Sequence, residues 1–221
     1  MFLIDSVRSE SKSDMRNRRF CISLYLLMAA SNSSVAATPP PETPFHPHSW
    51  QNPALKRPTS GINMGALHVQ FEKTTLDDVR RSASAGEISH QGDAGDSIYW
   101  LCYTNDRATP VERIWVIAHG EIGGSEHAVT SIRAQILPKG KATADCPALP
   151  DSLIPLSLDH NLWLSSTESE ALEKLGTPSY RDMSWRSYYY QDRSLDSSSW
   201  LWMQTKKGRV TSLHAGQVTG F

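Results

Sequence analysis

Residues 167–178 read Thr167-Glu168-Ser169-Glu170-Ala171-Leu172-Glu173-Lys174-Leu175-Gly176-Thr177-Pro178. Thr167 and Glu170 have the spacing of a capping box, in which each side chain satisfies the other residue's backbone N–H at a helix start. Ala171, Leu172 and Leu175 supply an apolar stripe. Gly176 then sits just past the last turn, and Pro178 forbids the helix from resuming. Three strand-like segments follow this helix, at 187–191 (SYYYQ), 199–205 (SWLWMQT) and 210–213, the last two joined by a Lys207-Gly208 turn. Aromatic and β-branched residues bounded by Gly, Asn and Asp favour antiparallel strands joined by hairpins.

The same order occurs once earlier in the chain. A strand-like alternation at 67–71 leads to Thr75, with Asp78 three residues on as a near capping box, and Gly86 as the stop. Strand-like segments follow at 97–104, 111–118 and 128–137, the last after a Gly-rich break at 120–124. The third strands read alike, Val129-Thr130-Ser131-Ile132 against Val210-Thr211-Ser212-Leu213. A repeated order of helix, stop and three strands marks an internal duplication. The expected fold class is therefore α+β, with two tandem units at 63–150 and 151–221, each a helix packed on a small antiparallel sheet.

The second unit runs through Leu175-Gly176-Thr177-Pro178, a Tyr-rich strand and Gly208-Arg209-Val210-Thr211-Ser212-Leu213. In this it resembles the SmpA/OmlA and β-lactamase-inhibitor-protein-like group. The match is closest over 163–213 and looser over 69–132, where the proline is missing and the segment 87–96 is longer. The resemblance implies one small α+β domain per unit, two in tandem as in the inhibitors, and a protein as the partner. The inhibitors' cysteine pair within each unit is not present here, since the second unit has none.

Residues 1–37 form an export signal. A basic stretch at 15–19 precedes an apolar run of 11 residues at 20–30, and Val35 and Ala37 meet the small-residue rule for cleavage after Ala37. Met15 is an alternative natural start, and an amphipathic N-terminal helix is the competing account of the same stretch. The apolar run is short of the ~20 residues needed to cross a bilayer, so no membrane span is expected. The protein is placed in the periplasm or the medium.

Export removes five basic residues (Arg8, Lys12, Arg16, Arg18, Arg19) and three acidic ones (Asp5, Glu10, Asp14) from totals of 22 and 23, leaving 17 against 20. That near balance excludes binding of nucleic acid by net charge. Cys102 and Cys146 remain. In an oxidising compartment an even pair reads as one disulfide, with two separately buried thiols as the alternative. The stretch 38–62 is a linker, because seven of the chain's 13 prolines lie between Thr38 and Pro58.

Chemistry is sparse. His119, Glu121, Glu126 and His127 are close in sequence but flank a Gly-rich turn, and no His-Glu-x-x-His or Cys-x-x-Cys pattern occurs. Asp93 and Asp96 lack the rest of a calcium loop. Gly123-Gly124-Ser125-Glu126-His127 departs from a nucleophile elbow at its last position. No cofactor, metal or catalytic residue is expected. Aromatic residues stand out instead: Trp185, Tyr188, Tyr190, Trp200 and Trp202 are the candidate binding residues. Strand alternation puts Trp200 with Trp202 and Tyr188 with Tyr190. These side chains form either an open binding face or filler of the core and the junction between units. The expected function is a non-enzymatic, exported envelope protein that binds a protein partner, inhibitor-like or assembly-factor-like. The alternative is an enzyme or small-molecule binder working from a cleft between the units.

Overall fold

Both capping boxes form. In the computed structural model, which describes residues 37–42, 53–93, 96–124 and 126–220, Thr75 caps helix α1 (Leu76–Ala83) and Thr167 caps helix α3 (Glu168–Leu175), each with reciprocal bonds to Asp78 or Glu170. Between them lie one turn of α-helix, α2 (Gly120–Gly123), and two 3-10 turns, Asp151–Leu153 and Asp159–Asn161. Leu76, Val79 and Ala83 bury the inner side of α1, and Ala171 and Leu175 that of α3. Leu172, expected in the apolar stripe, is 50% exposed. No described helix is long and apolar enough to cross a membrane.

Among the described residues eleven strands make two sheets. Strands β1 (Gly61–Met64), β2 (Leu67–Gln70) and β7 (Leu156–Leu158) pair in the order β2-β1-β7. The larger sheet contains β3 (Ser89–Gln91), β4 (Ile98–Asn105), β5 (Val111–His119), β6 (Ser131–Leu137), β8 (Tyr180–Arg181), β9 (Trp185–Asp192), β10 (Ser197–Lys206) and β11 (Arg209–Thr219). Its order is β3-β4-β5-β6-β11-β10-β9-β8.

This architecture corrects the expected class. The chain is mostly β, its two main helices have eight residues each, and the two meanders are not separate α+β units. They are fused edge to edge through antiparallel pairing of β6 with β11. The physical reason is the edge strand: β6 and β11 each end a meander with an unpaired row of N–H and C=O groups, and each satisfies the other.

The seam register keeps the 81-residue offset (210 − 129) of the two similar segments, Val129-Thr130-Ser131-Ile132 and Val210-Thr211-Ser212-Leu213. Ile132 pairs with Ala215 and Leu213 with Ala134, so residues 81 positions apart (213 − 132 and 215 − 134) exchange places across the seam. Arg133 pairs with His214, again 81 apart, and therefore lies on the local two-fold axis. Equivalent bridges tie each helix cap to the strand side, Thr75 to Ala128 and Thr167 to Arg209; the strand-side residues are again 81 apart (209 − 128), whereas the caps are 92 apart (167 − 75).

One face of the large sheet is core. Tyr188, Leu201, Ala215, Ile132, Val116 and Leu101 stand opposite one another in register across six strands, and all are buried. Ile62, Met64 and Val69 of the small sheet, Leu156 and Leu158 of β7, and the buried sides of α1 and α3 pack against this face. Each fully buried aliphatic side chain of this kind contributes about 1.5–3 kcal/mol. The buried Arg186 on the same face is matched by Glu168 in the first turn of α3, Nε to Oε1 2.6 Å, which ties that helix to the sheet.

Candidate functional site

Alternation places a second set of side chains on the opposite, outer face. One rank runs Ser187, Trp202, His214, Arg133, Trp115, Cys102, and the next Tyr189, Trp200, Gly216, Ser131, Ile117, Trp100. Residues directly opposite on adjacent strands share a face, so five tryptophans, counting Trp185 opposite Gln204, stand on this side.

The expected binding residues therefore divide. Trp185, Trp200 and Trp202 are half-buried on the outer face. Tyr188 is buried in the core, and burial pushes its hydroxyl up to about 12. Tyr190 stands opposite Ser199 on the core-facing side near a strand end, half-buried, with the Arg57 guanidinium 5.7 Å from its ring centroid. The structure brings the three tryptophans together and separates them from the two tyrosines.

Trp200 needs Gly216 opposite it. A Cβ on Gly216 would lie 2.5 Å from Trp200 Cζ2, so only glycine leaves room for the indole over the seam strand. His214 is the floor of this region, with Trp200 and Trp202 packed edge-on at 5.9 and 5.3 Å between ring centroids. Burial, then the charge of Arg133, then His119, holds the His214 imidazole well below its ordinary value, so it is neutral at pH 7. His119 is lowered for the first two of these reasons, and its Nδ1 lies 2.6 Å from the Thr130 hydroxyl.

At the other end of the same face Cys102 and Cys146 are joined by a disulfide, 44 residues apart in sequence. Trp100, Trp115 and Ile117 complete a second apolar cluster around it, on which Ala37 rests. Residues 37–42 lie across this cluster without regular secondary structure, and Arg133 donates to the Pro41 carbonyl. The expected linker at 38–62 thus includes a docked segment at 38–42 and the start of β1, while residues 43–52 lie outside the described residues. The expected signal, residues 1–37, also lies outside them except for Ala37.

Sequence reasoning missed Trp100, Trp115, Arg133 and His214 as partners on this face. The signal was available for one of them: Trp100 and Cys102 alternate in one strand segment, so Trp100 had to project to the side of the cysteine.

The loop expected to be a weak metal candidate is occupied otherwise. His127 stacks on Tyr99 at 3.9 Å, with His90 on the other side of that ring at 4.4 Å. Among the described residues no group of three His, Cys, Asp or Glu is placed to hold a metal ion. One open, polar hollow is lined by Lys73, Thr75, Asp77, Asp78, Arg80, Arg81 and Glu126. Its charges are largely spent on each other, Arg80 with Asp77 and Arg81 with Asp78. No family model, no curated protein and no solved structure matches the chain.

Proposed function

We propose that the chain is an exported, non-enzymatic protein of the bacterial envelope that binds a protein partner through the outer face of β9 and β10. One observation carries this proposal. Trp185, Trp200 and Trp202 stand together on that face, each half-buried, while the opposite face is filled by core. Large, rigid indoles of this kind supply contact area at low entropic cost and are over-represented where binding energy concentrates. The disulfide suits an oxidising compartment, periplasm or medium. The resemblance of 163–213 to the inhibitor-like group points the same way, towards an inhibitor or an assembly factor.

The junction between the halves favours this over the cleft-based alternative. Backbone pairing of β6 with β11 fills it, so the two halves meet as neighbouring strands of one sheet. Affinity capture from periplasmic extract with wild type, W200A and W202A tests the proposal. The expected partner is retained by wild type and loses about 2 kcal/mol or more of binding with each variant. Parallel thermal melts must show both variants folded. A partner held equally by all three proteins would end this assignment of the surface.

A further inference from the structure

Thr38 is the most heavily anchored residue of the docked N-terminal segment. Its N–H donates to Asp145 Oδ2 at 2.7 Å, and its hydroxyl donates to the same oxygen. Its carbonyl accepts from the indole N–H of Trp100 and of Trp115, at 3.1 Å each. These two indoles come from neighbouring strands, β4 and β5, and Asp145 directly precedes the disulfide-bonded Cys146. Every polar atom of residue 38 is therefore held by a rigid part of the fold.

The carboxylate in this socket is short of a cation. Among the described residues no Lys, Arg or His forms an ion pair with Asp145, although the Thr38 hydroxyl, then Thr143 and the Thr38 N–H, hold its carboxyl down at about 2. It is ionised at neutral pH and its strongest donors are neutral. An ammonium in the place of the Thr38 N–H would keep this hydrogen bond and add an opposite full charge beside the carboxylate.

We propose that Asp145, Trp100 and Trp115 form a binding site for the chain's own new N-terminus, created by hydrolysis of the Ala37–Thr38 peptide bond. Water adds across that bond: its oxygen joins the Ala37 carbonyl carbon to give a carboxylate, and the Thr38 nitrogen leaves as an amine. A free α-amino group has a pKa of about 7.7–8.0 and gains a proton at pH 7. The resulting ammonium sits where the 2.7 Å bond to Asp145 already is. Val35 and Ala37 supply the small residues that an export endopeptidase requires. In the fold Ala37 is half-buried against the Trp100 and Trp115 cluster, so the cut precedes folding and the new terminus docks as the sheet closes. The inference is independent of which partner the other end of the face binds.

The test uses the full 221-residue chain, wild type and D145N, produced in a secreting bacterial host and collected after export. N-terminal sequencing of the exported wild type is expected to begin at Thr38. The α-amine of each protein is then acetylated selectively at mildly acidic pH, where lysines stay protonated. Acetylation removes the charge and leaves Thr38 with the amide N–H that already meets Asp145 in the fold, so its effect in wild type relative to D145N isolates the ion pair. It is expected to lower the melting temperature of wild type by roughly 2–4 °C and that of D145N by less than about 1 °C. If D145N does not accumulate, D145S gives the same comparison. A mature chain beginning elsewhere, or equal shifts in the two proteins, would overturn the proposal.

Discussion

Gly216→Ala probes the seam on which both the fold and the aromatic face depend. The added Cβ would lie 2.5 Å from Trp200 Cζ2, 2.9 Å from Ser131 Cβ and 2.9 Å from the Thr130 carbonyl oxygen. The first neighbour is the end of a half-buried side chain and can swing away. The other two belong to β6 and the residue before it, and can give way only if the two halves part. Overpacking of this kind costs about 1–3 kcal/mol. Alanine regains some of this by restricting the unfolded chain, about 0.4–1 kcal/mol where the backbone accepts it. The clash is the larger effect, so a net loss is expected, at roughly 2–4 °C of melting temperature per kcal/mol for a chain of this size. The assay is urea and thermal unfolding of G216A, W200A and the double variant. W200A relieves the closest contact and leaves the backbone contact, so the double variant should lie above the sum of the singles by about 0.5 kcal/mol or more. Wild-type stability for G216A, or strict additivity, would refute the account of how Trp200 is seated.

Replacing Cys102 and Cys146 together by alanine is expected to cost roughly 3–4 kcal/mol in denaturant unfolding, the chain-entropy value for their separation; no change would mean that the thiols do not pair in the native protein. Glu112 is buried beside Asn105 Nδ2 (2.9 Å) and Trp163 Nε1 (3.2 Å), and burial outweighs both bonds in raising its pKa above 4.5. The folded state then holds its proton longer than the unfolded state, so this stability is present below pH 4.5 and is lost as pH rises through the folded value. Glu112→Gln should flatten that limb of an unfolding-free-energy profile against pH. His214 acts with the opposite sign. Its folded pKa lies below 6.5, so its stability is present above pH 6.5 and is lost as pH falls through the folded value. His214→Gln should weaken the acid limb, and an unchanged limb would place the titrating group elsewhere.

Local chemistry determined much of this protein from sequence alone. The two capping boxes needed only residues three apart, and both form. The main strands were legible from alternation and from their Gly and Asn boundaries, and β4, β5, β6, β9, β10 and β11 lie close to the expected segments. The pairing of Cys102 with Cys146 followed from reading residues 1–37 as an export signal, which leaves only these two of the chain's three cysteines.

What tertiary structure decided is everything that depends on residues far apart in the chain. No local pattern says that β6 will complete its hydrogen bonds on β11 and not stop as an edge, and that single pairing turned two expected units into one mostly β fold. Strands β1 and β7 were invisible for a related reason: each has four residues or fewer, too short to show a period, and they pair across more than ninety positions. Alternation correctly put Trp200 with Trp202 and Tyr188 with Tyr190, but it is silent on which face is core. That choice was made by the small sheet and the helices, which bury Tyr188 and leave the tryptophans on the other side. The Thr38 socket shows the same limit, since Asp145 lies 107 residues away and meets it only when the disulfide loop and the N-terminal segment lie on one face.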